Sequence, residues 1–559
     1  MAFATTTRSD PLASAVAPLL MSLDPEQRAA ALLPGGPALV IAPAGSGKTT
    51  TLIARLGVLL VRGVPADQIA VVTFNREAAL ELTQRIAARL APLVAGAERI
   101  EVRTLHALAR QVLLDGGRPV HLLADRLPLL RAARRRAAAR SPDGDAPLPE
   151  PAELDGHLSA WKVEGRAPPS AALPILEGYE ALRAARGALD FDDLVVGAVS
   201  LLERDPALRL RWQRRFSCLA VDEFQDVDAA QFRLVRLLAA PQDNLFVVGD
   251  DDQTIYAWRL ADVRRILDFE RYYPAARRVQ LATNYRCPPA VVAASRRMVA
   301  VNAERYVKRI EPAAGRSREA AAVRVVSTVD PQWPDRLAAL ADGEAREVGR
   351  CCLIARTRAE LGPILMALLR AGIAHATSLD APLQAEAVKS LLDDARRLPA
   401  HAAPFRELLR LRVGRGWRRG DGNDALGDDE HAALDALLGW AAAFRGLDGF
   451  LAAADAALAR LATLRDPSAP IELVTVHGAK GREWPSVIVV GFEAERFPNG
   501  RSLAGAADPA RALEEERRLA YVALTRAGGR LILAFDPLRP SPFLAEMGYR
   551  PTSAATSER

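Results

Sequence analysis

Short apolar runs alternate with stretches of helical periodicity along most of this 559-residue chain. Near the start, "ALVI" ends at Ile41, a loop of small residues follows, and a helical pattern begins near Lys48. "IAVVTF", ending at Phe74, and "CLAV", ending at Val221, are two more such runs, and "VVG" leads into Asp250. In the second half "AAVRVVST", "RCCLIAR", "IELVTV", "SVIVVG" and "RLILAF" repeat the theme. Runs of this length, rich in β-branched residues and separated by helical segments, predict buried parallel strands covered by helices. The fold class is therefore α/β, with two parallel-sheet cores. Helical insertions interrupt both, at 107–188 and 396–468.

The first strand–loop–helix carries chemistry. "APAGSGKTT" places Ala44, Gly45, Ser46 and Gly47 where backbone N–H groups can face a phosphate chain, as in a P-loop. Lys48 is set to reach the terminal phosphates, and Thr49 to ligate Mg²⁺. The first glycine of the strict pattern is replaced by Ala42. A P-loop needs a carboxylate on a neighbouring strand, and Asp222-Glu223 follows "CLAV" directly. Asp222 suits the metal, and Glu223 suits orientation and deprotonation of an attacking water. The second core has no P-loop of its own.

Composition narrows the class. Half of the residues are hydrophobic and a quarter charged, the profile of a globular protein, and there is no run of about 18 apolar residues to span a membrane. The first 22 residues lack a signal-peptide pattern and read as a disordered leader. The four cysteines show no metal-ligand spacing, which fits a reducing cytoplasm. A net charge of +6 permits a polyanionic partner without requiring one.

The order of motifs resembles the UvrD/Rep/PcrA family of superfamily 1 DNA helicases. "LDPEQRAA" is similar to the family's Q motif, "VVTFNREAALELTQRI" to motif Ia, "RTLHALA" to motif Ib and "VVGDDDQTIYAWR" to motif III. "LATNYRCPP" is similar to motif IV, "VTVHGAKGREWPSVIVVG" to motif V and "EEERRLAYVALTRA" to motif VI. "LDFDDLV" matches a segment that precedes the Asp-Glu motif.

The resemblance implies two RecA-like domains. The first spans 23–106 and 189–280, and the second 281–395 and 469–559. Residues 107–188 correspond to the helical insertion 1B, and 396–468 to a reduced 2B-like insertion. It also implies that Gln27 reads adenine, that Tyr285 stacks on it and that Glu483 approaches the ribose. Thr50 stands where a typical member carries arginine, which leaves one side of the base pocket altered. Gln253 is expected near the γ-phosphate. Arg286 and Arg526 are expected to stabilise charge on the transferred phosphoryl, a role that suits an always-charged bidentate fork. Strand contacts are carried over to Phe74, His106, Tyr256, Trp258, Arg259 and His477. From chemistry alone the aromatics read either as base-stacking platforms or as core, and the two histidines either as contacts or as buried structural groups.

Two further basic stretches stay open. "RAARRRAAAR", with Arg131, Arg134, Arg135, Arg136 and Arg140, reads either as a phosphate-facing helix or as a solvated face. "RLRVGRGWRRGDGND", with Arg412, Arg415, Trp417, Arg418 and Arg419, reads either as a nucleic-acid loop or as a flexible one. The expected activity is ATP- and Mg²⁺-dependent 3′→5′ translocation on single-stranded DNA with helicase action, in repair, replication or recombination. The partners implied are single-stranded and tailed duplex DNA and proteins of those pathways, with no membrane, a cytoplasmic location and a monomer in the absence of DNA. The alternative is a translocase that unwinds weakly and strips proteins from DNA, or the motor of a helicase–nuclease complex. The chain ends soon after motif VI, so any nuclease would be a partner.

Overall fold

The computed structural model describes residues 15–140, 148–315, 323–417 and 426–549. The chain divides into two compact units. The first comprises residues 1–282 and 304–309, and the second comprises 283–303 and 310–559.

The first unit is built on six strands: β1 (Ala38–Ile41), β2 (Ile69–Thr73), β3 (Glu101–Thr104), β4 (Cys218–Val221), β5 (Leu245–Gly249) and β6 (Arg277–Gln280). All pairs are parallel, and the order across the sheet is β3-β2-β4-β5-β1-β6. The near-continuous apolar runs are explained by two covered faces. Leu39, Ile41, Val72, Val221 and Val247 pack on one side with Leu108, Val112 and Leu194. Val40, Val71, Ala220 and Val248 pack on the other with Leu52, Leu56 and Leu82. β3 and β6 escaped the apolar pattern because they are edge strands, and Arg277 and Arg278 of β6 are exposed.

Two strand fragments, β7 (Thr283–Asn284) and β8 (Glu311–Pro312), pair in parallel in the second unit. Its main sheet holds β9 (Arg324–Ser327), β10 (Cys351–Ala355), β11 (Ala376–Thr377), β12 (Ile471–Thr475), β13 (Trp484–Val490) and β14 (Ala527–Phe535). The order is β11-β12-β10-β13-β14-β9, again all parallel. The five runs read from the second half of the sequence are β9, β10, β12, β13 and β14.

Four boundaries differ from the sequence reading. Residues 15–22 are not a disordered leader: Ala17–Met21 is helical, and Val16 is buried in the first core. Residues 1–14 lie outside the described residues. Helix Leu105–Asp115 belongs to the first core through Leu108, Ala109 and Val112, so the insertion proper is a three-helix unit with its own core of Leu130, Leu154, Leu158, Ile175 and Tyr179. The reading closed the first core at 280, whereas the chain returns to it for Glu304–Arg309. Finally, among its described residues the 396–468 insertion packs into the second unit's core. Leu408, Leu434, Leu437 and Phe450 share one apolar cluster with Leu353, Ile471 and Ile488 of the second sheet.

Candidate functional site

Five loops leave the carboxyl ends of parallel strands in the first unit, the position at which open α/β sheets bind ligands. The loop after β1 turns through Gly45 and Gly47, both with positive φ, at 71° and 77°. A Cβ on Gly47 would lie 2.5 Å from Gln27 Nε2, so this position demands glycine on two counts. Helix Lys48–Val61 then starts with no side-chain cap. Its first N–H groups are therefore directed toward the loop with no capping acceptor. Ser46 Oγ is buried with no hydrogen-bond partner. An uncapped helix start and an orphaned hydroxyl inside a glycine loop fit a phosphate chain. Ala44 is buried, whereas Thr49 and Thr50 are half-buried at the start of the helix.

Gln27 is buried behind this loop. Its Nε2 donates to Ser46 O at 2.9 Å, and its Oε1 accepts from Asp24 N–H at 3.2 Å, closing a capping box on helix Pro25–Leu32. Its amide thus braces the P-loop as well as its own helix.

The acid pair follows β4. Asp222 N–H donates to Val72 O at 2.9 Å, which extends the ladder by one residue. Glu223 then adopts φ 52°, ψ 44°, a left-handed conformation that costs energy for a non-glycine residue. This turn aims the Glu223 carboxylate at the P-loop, with Lys48 Nζ 3.3 Å from Oε1 and 3.4 Å from Oε2. Burial, and then the adjacent Glu223 carboxylate, push Asp222 up to about 7, with Lys48 opposing. Two carboxyls against one ammonium leave a site short of positive charge, the donor set that suits Mg²⁺.

The turn after β5 joins this pair through Gln225, which is fully buried. Gln225 Nε2 donates to Glu223 Oε2, and its Oε1 accepts from Asp250 N–H at 3.0 Å. Asp250 Oδ2 in turn accepts from Gln253 Nε2 at 2.7 Å. Lys48, Glu223, Gln225, Asp250 and Gln253 are thus one connected polar path. The sequence reading missed Gln225, for which the only local sign is a glutamine two positions beyond the acid pair.

Three residues past Gln253 the segment becomes aromatic. Tyr256 stacks on Phe74 with ring centres 4.6 Å apart and planes 20° apart. Trp258 is tilted against Tyr256 at 6.4 Å, is 60% exposed, and has the Arg259 guanidinium 4.5 Å over its ring. His106 meets Phe191 edge-on at 5.7 Å. Burial lowers the His106 pKa, Asp192 opposes and Arg259 reinforces, so the imidazole is neutral near pH 7. Phe191, 47% exposed, is an aromatic of this surface that the sequence reading did not single out. The helical insertion leans on the same region through a charged network in which Arg126 bridges Asp155 and Asp192.

The remaining candidates lie in the second unit. Tyr285 is exposed beside β7. Arg286 Nε donates to the Glu483 carboxylate, and its Nη1 to Thr525 O at 3.3 Å. Arg526 is only 1% exposed, with its guanidinium donating to Val522 O at 3.0 Å, Arg482 O at 3.1 Å and Thr525 Oγ1 at 3.3 Å. His477 is half-buried on a short helix after β12.

The two basic stretches separate. Arg131, Arg135 and Arg136 are exposed, whereas Arg134 binds Pro149 O at 2.9 Å and Glu150 at 2.8 Å. The Arg140 side chain lies outside the described residues. In the second stretch Arg412 binds Asp435 at 2.6 Å and Trp417 O at 3.1 Å. Arg415 binds Ser390 and Asp394 and covers the Trp417 ring at 4.7 Å. The nucleic-acid reading of these three residues gives way to a structural one, because their cations staple the insertion's own helices. Arg418 and Arg419 lie outside the described residues.

Comparison with known proteins identifies the family. The UvrD/REP helicase N-terminal domain profile matches residues 23–138 and 150–274, and the UvrD-like helicase C-terminal domain profile matches 446–536. The chain is 32% identical to the ATP-dependent DNA helicase UvrD2 of Mycobacterium tuberculosis, over 93% of this chain and 79% of that protein. It is 29% identical to the ATP-dependent DNA helicase UvrD1 of the same organism, over 94% of this chain and 83% of that protein.

Proposed function

The chain belongs to the UvrD/REP family of ATP-hydrolysing DNA helicases, and from that premise we propose that it moves 3′→5′ along single-stranded DNA and separates duplex ahead of it. The polarity rests on the family resemblance, and one observation carries the coupling of hydrolysis to movement. The polar path from Lys48 through Glu223, Gln225 and Asp250 ends on Gln253, three residues before the aromatic that stacks on Phe74. Hydrolysis and base stacking thus share one short segment.

The roles are those the family resemblance implies, and in the first unit the P-loop and acid-pair contacts support them. The P-loop N–H groups from Ala44 to Thr50 hold the phosphates, with Lys48 on the terminal ones. Thr49 and Asp222 would hold Mg²⁺, which supplies charge neutralisation on the transferred phosphoryl when bound. Glu223 orients the attacking water and takes its proton. Gln27 supports the loop and lies toward adenine, and Tyr285 and Glu483 serve base and ribose. Arg286 and Arg526 stabilise the developing phosphoryl charge. Phe74, Tyr256 and Trp258 stack on bases, which makes binding sequence-tolerant, with His106, Arg259 and His477 on the strand.

A second reading rests on the 396–468 insertion. Its described helices pack into the second unit's core, which favours an insertion that does not move as a body of its own on duplex. On this reading the protein translocates, unwinds weakly and displaces bound proteins. Strand displacement on 3′-tailed, 5′-tailed and blunt duplexes, beside streptavidin displacement from biotinylated strands, separates the two. Unwinding that favours 5′ tails would overturn the polarity. Streptavidin release without unwinding would select the second reading.

A further inference from the structure

The chain enters the second unit at Thr283, returns to the first for Glu304–Arg309 and leaves it again at Ile310. The returning segment docks on the turn after β5. Lys308 Nζ lies 2.7 Å from Asp250 Oδ1, 2.6 Å from Asp251 Oδ1 and 2.7 Å from Asp252 Oδ2, with all four side chains fully buried. Arg305 binds both oxygens of Asp252, at 2.9 and 2.7 Å. The Tyr306 N–H donates to Asp251 Oδ2 at 2.9 Å. Burial works against the ammonium, but the three carboxylates outweigh it and hold Lys308 protonated.

Burying this much charge is costly even when it is paired, and an apolar plug would hold a turn as well. What the cluster adds is direction. Asp250 accepts from Lys308 on one oxygen and from Gln253 on the other. Its own N–H reaches Gln225, which holds Glu223. Lys308 therefore stands at one end of the path whose other end is Lys48.

The neighbouring chain gives that position a consequence. The Ala303 N–H is bonded to Glu514 Oε1 at 2.7 Å in the second unit, whereas Arg305 is clamped on Asp252 in the first. A single residue separates these anchors, and two residues of extended chain span at most ~7 Å.

We propose that Lys308 is a positioning residue which, by holding Asp250, orients Gln253 and ties that orientation to the short tether joining the two units. The proposal rests on Gln253 acting beside the γ-phosphate. Lys308 makes ATP turnover productive rather than merely possible.

The test uses the full chain with a 3′-tailed duplex, and the readout is base pairs unwound per ATP hydrolysed. The variants are Lys308→Met and, should three aspartates with Arg305 as their nearest remaining cation prevent folding, the Asp251→Asn/Lys308→Met pair. The expected result is a KM for ATP within about twofold of wild type and unwinding per ATP reduced about fivefold or more, matching Gln253→Ala, with no further loss when Gln253→Ala is added. A purely structural lysine would lower the melting temperature and leave that ratio unchanged. A folded Lys308 variant with normal unwinding per ATP, or losses that multiply with Gln253→Ala, would overturn the proposal. Normal coupling in Gln253→Ala alone would instead remove Gln253 from its role and the Lys308 inference with it.

Discussion

Lys48 Nζ and Glu223 Oε1 stand 3.3 Å apart, held there by a glutamate in the left-handed region and a lysine at an uncapped helix start. On the proposed function, nucleotide competes with Glu223 for this ammonium. Lys48→Ala should therefore abolish DNA-stimulated ATP turnover, and it should also leave Glu223 without its cation. Glu223→Gln keeps the shape and removes the base, so it should bind ATP normally and turn it over slowly. A steady-state ATPase assay with and without oligonucleotide checks both. Sustained turnover in Lys48→Ala would remove the P-loop from the reaction.

The two arginines of the second unit should behave differently from each other. Arg286 is paired with Glu483, whose side chain is 62% exposed, so Arg286→Ala leaves a carboxylate that water can solvate. It should slow hydrolysis with little change in melting temperature. Arg526 is buried and donates to two carbonyls and a hydroxyl, and its loss removes these bonds from the interior. Arg526→Ala should slow hydrolysis by about 10³-fold or more, if it acts as an arginine finger, and also lower the melting temperature. Near wild-type turnover in either folded variant would take that arginine out of the mechanism.

Trp258 is the most exposed of the three clustered aromatics, whereas Phe74 and Tyr256 already stack on each other. Trp258→Ala should weaken oligonucleotide binding by about 1–3 kcal/mol without changing stability. Tyr256→Ala should weaken binding and also destabilise, since Phe74 loses its partner. Fluorescence titration with a labelled oligonucleotide, beside thermal unfolding, distinguishes them. Unchanged affinity in Trp258→Ala would make that ring a surface feature only.

The P-loop and the acid pair were legible because each is a strand end followed by its chemistry within a few residues. Phosphate binding and metal binding at such ends are local properties of sequence. Lys308 was not legible, because its meaning comes from three aspartates more than fifty positions upstream. Gln225 was hidden for the same reason, as its role depends on a backbone N–H of β5's turn. Arg412 and Arg415 were left open between a nucleic-acid loop and a flexible one. A cation-rich stretch with a tryptophan has the composition of a nucleic-acid loop, and only the folded chain brings Asp435 and Asp394 to those cations. The edge strands β3 and β6 were obscured because polar residues are tolerated where one side of a strand lacks a neighbour.

The helical insertion holds a second lysine inside a carboxylate cluster. Lys162 Nζ lies 2.6 Å from Glu180, 2.7 Å from Asp190 and 2.9 Å from Asp193, where three acidic groups within reach of one another could otherwise hold a metal ion. Burial lowers the lysine's pKa, but Asp190 and Asp193 more than compensate, so the ammonium persists. Asp190 and Asp193 also cap helix Phe191–Arg204, and the Tyr179 hydroxyl donates to Asp190 at 2.8 Å. The cluster thus joins the insertion to the segment that carries Phe191. Lys162→Met leaves Glu180, Asp190 and Asp193 with Arg183 and the more distant Arg126 as their remaining cations, and should destabilise the first unit by up to about 3–5 kcal/mol. Lys389→Met, which breaks an exposed pair with Glu386, should leave stability unchanged within error. Urea unfolding of the two variants checks the contrast, and equal stabilities would show that the Lys162 cluster is solvated and contributes no more than a surface pair.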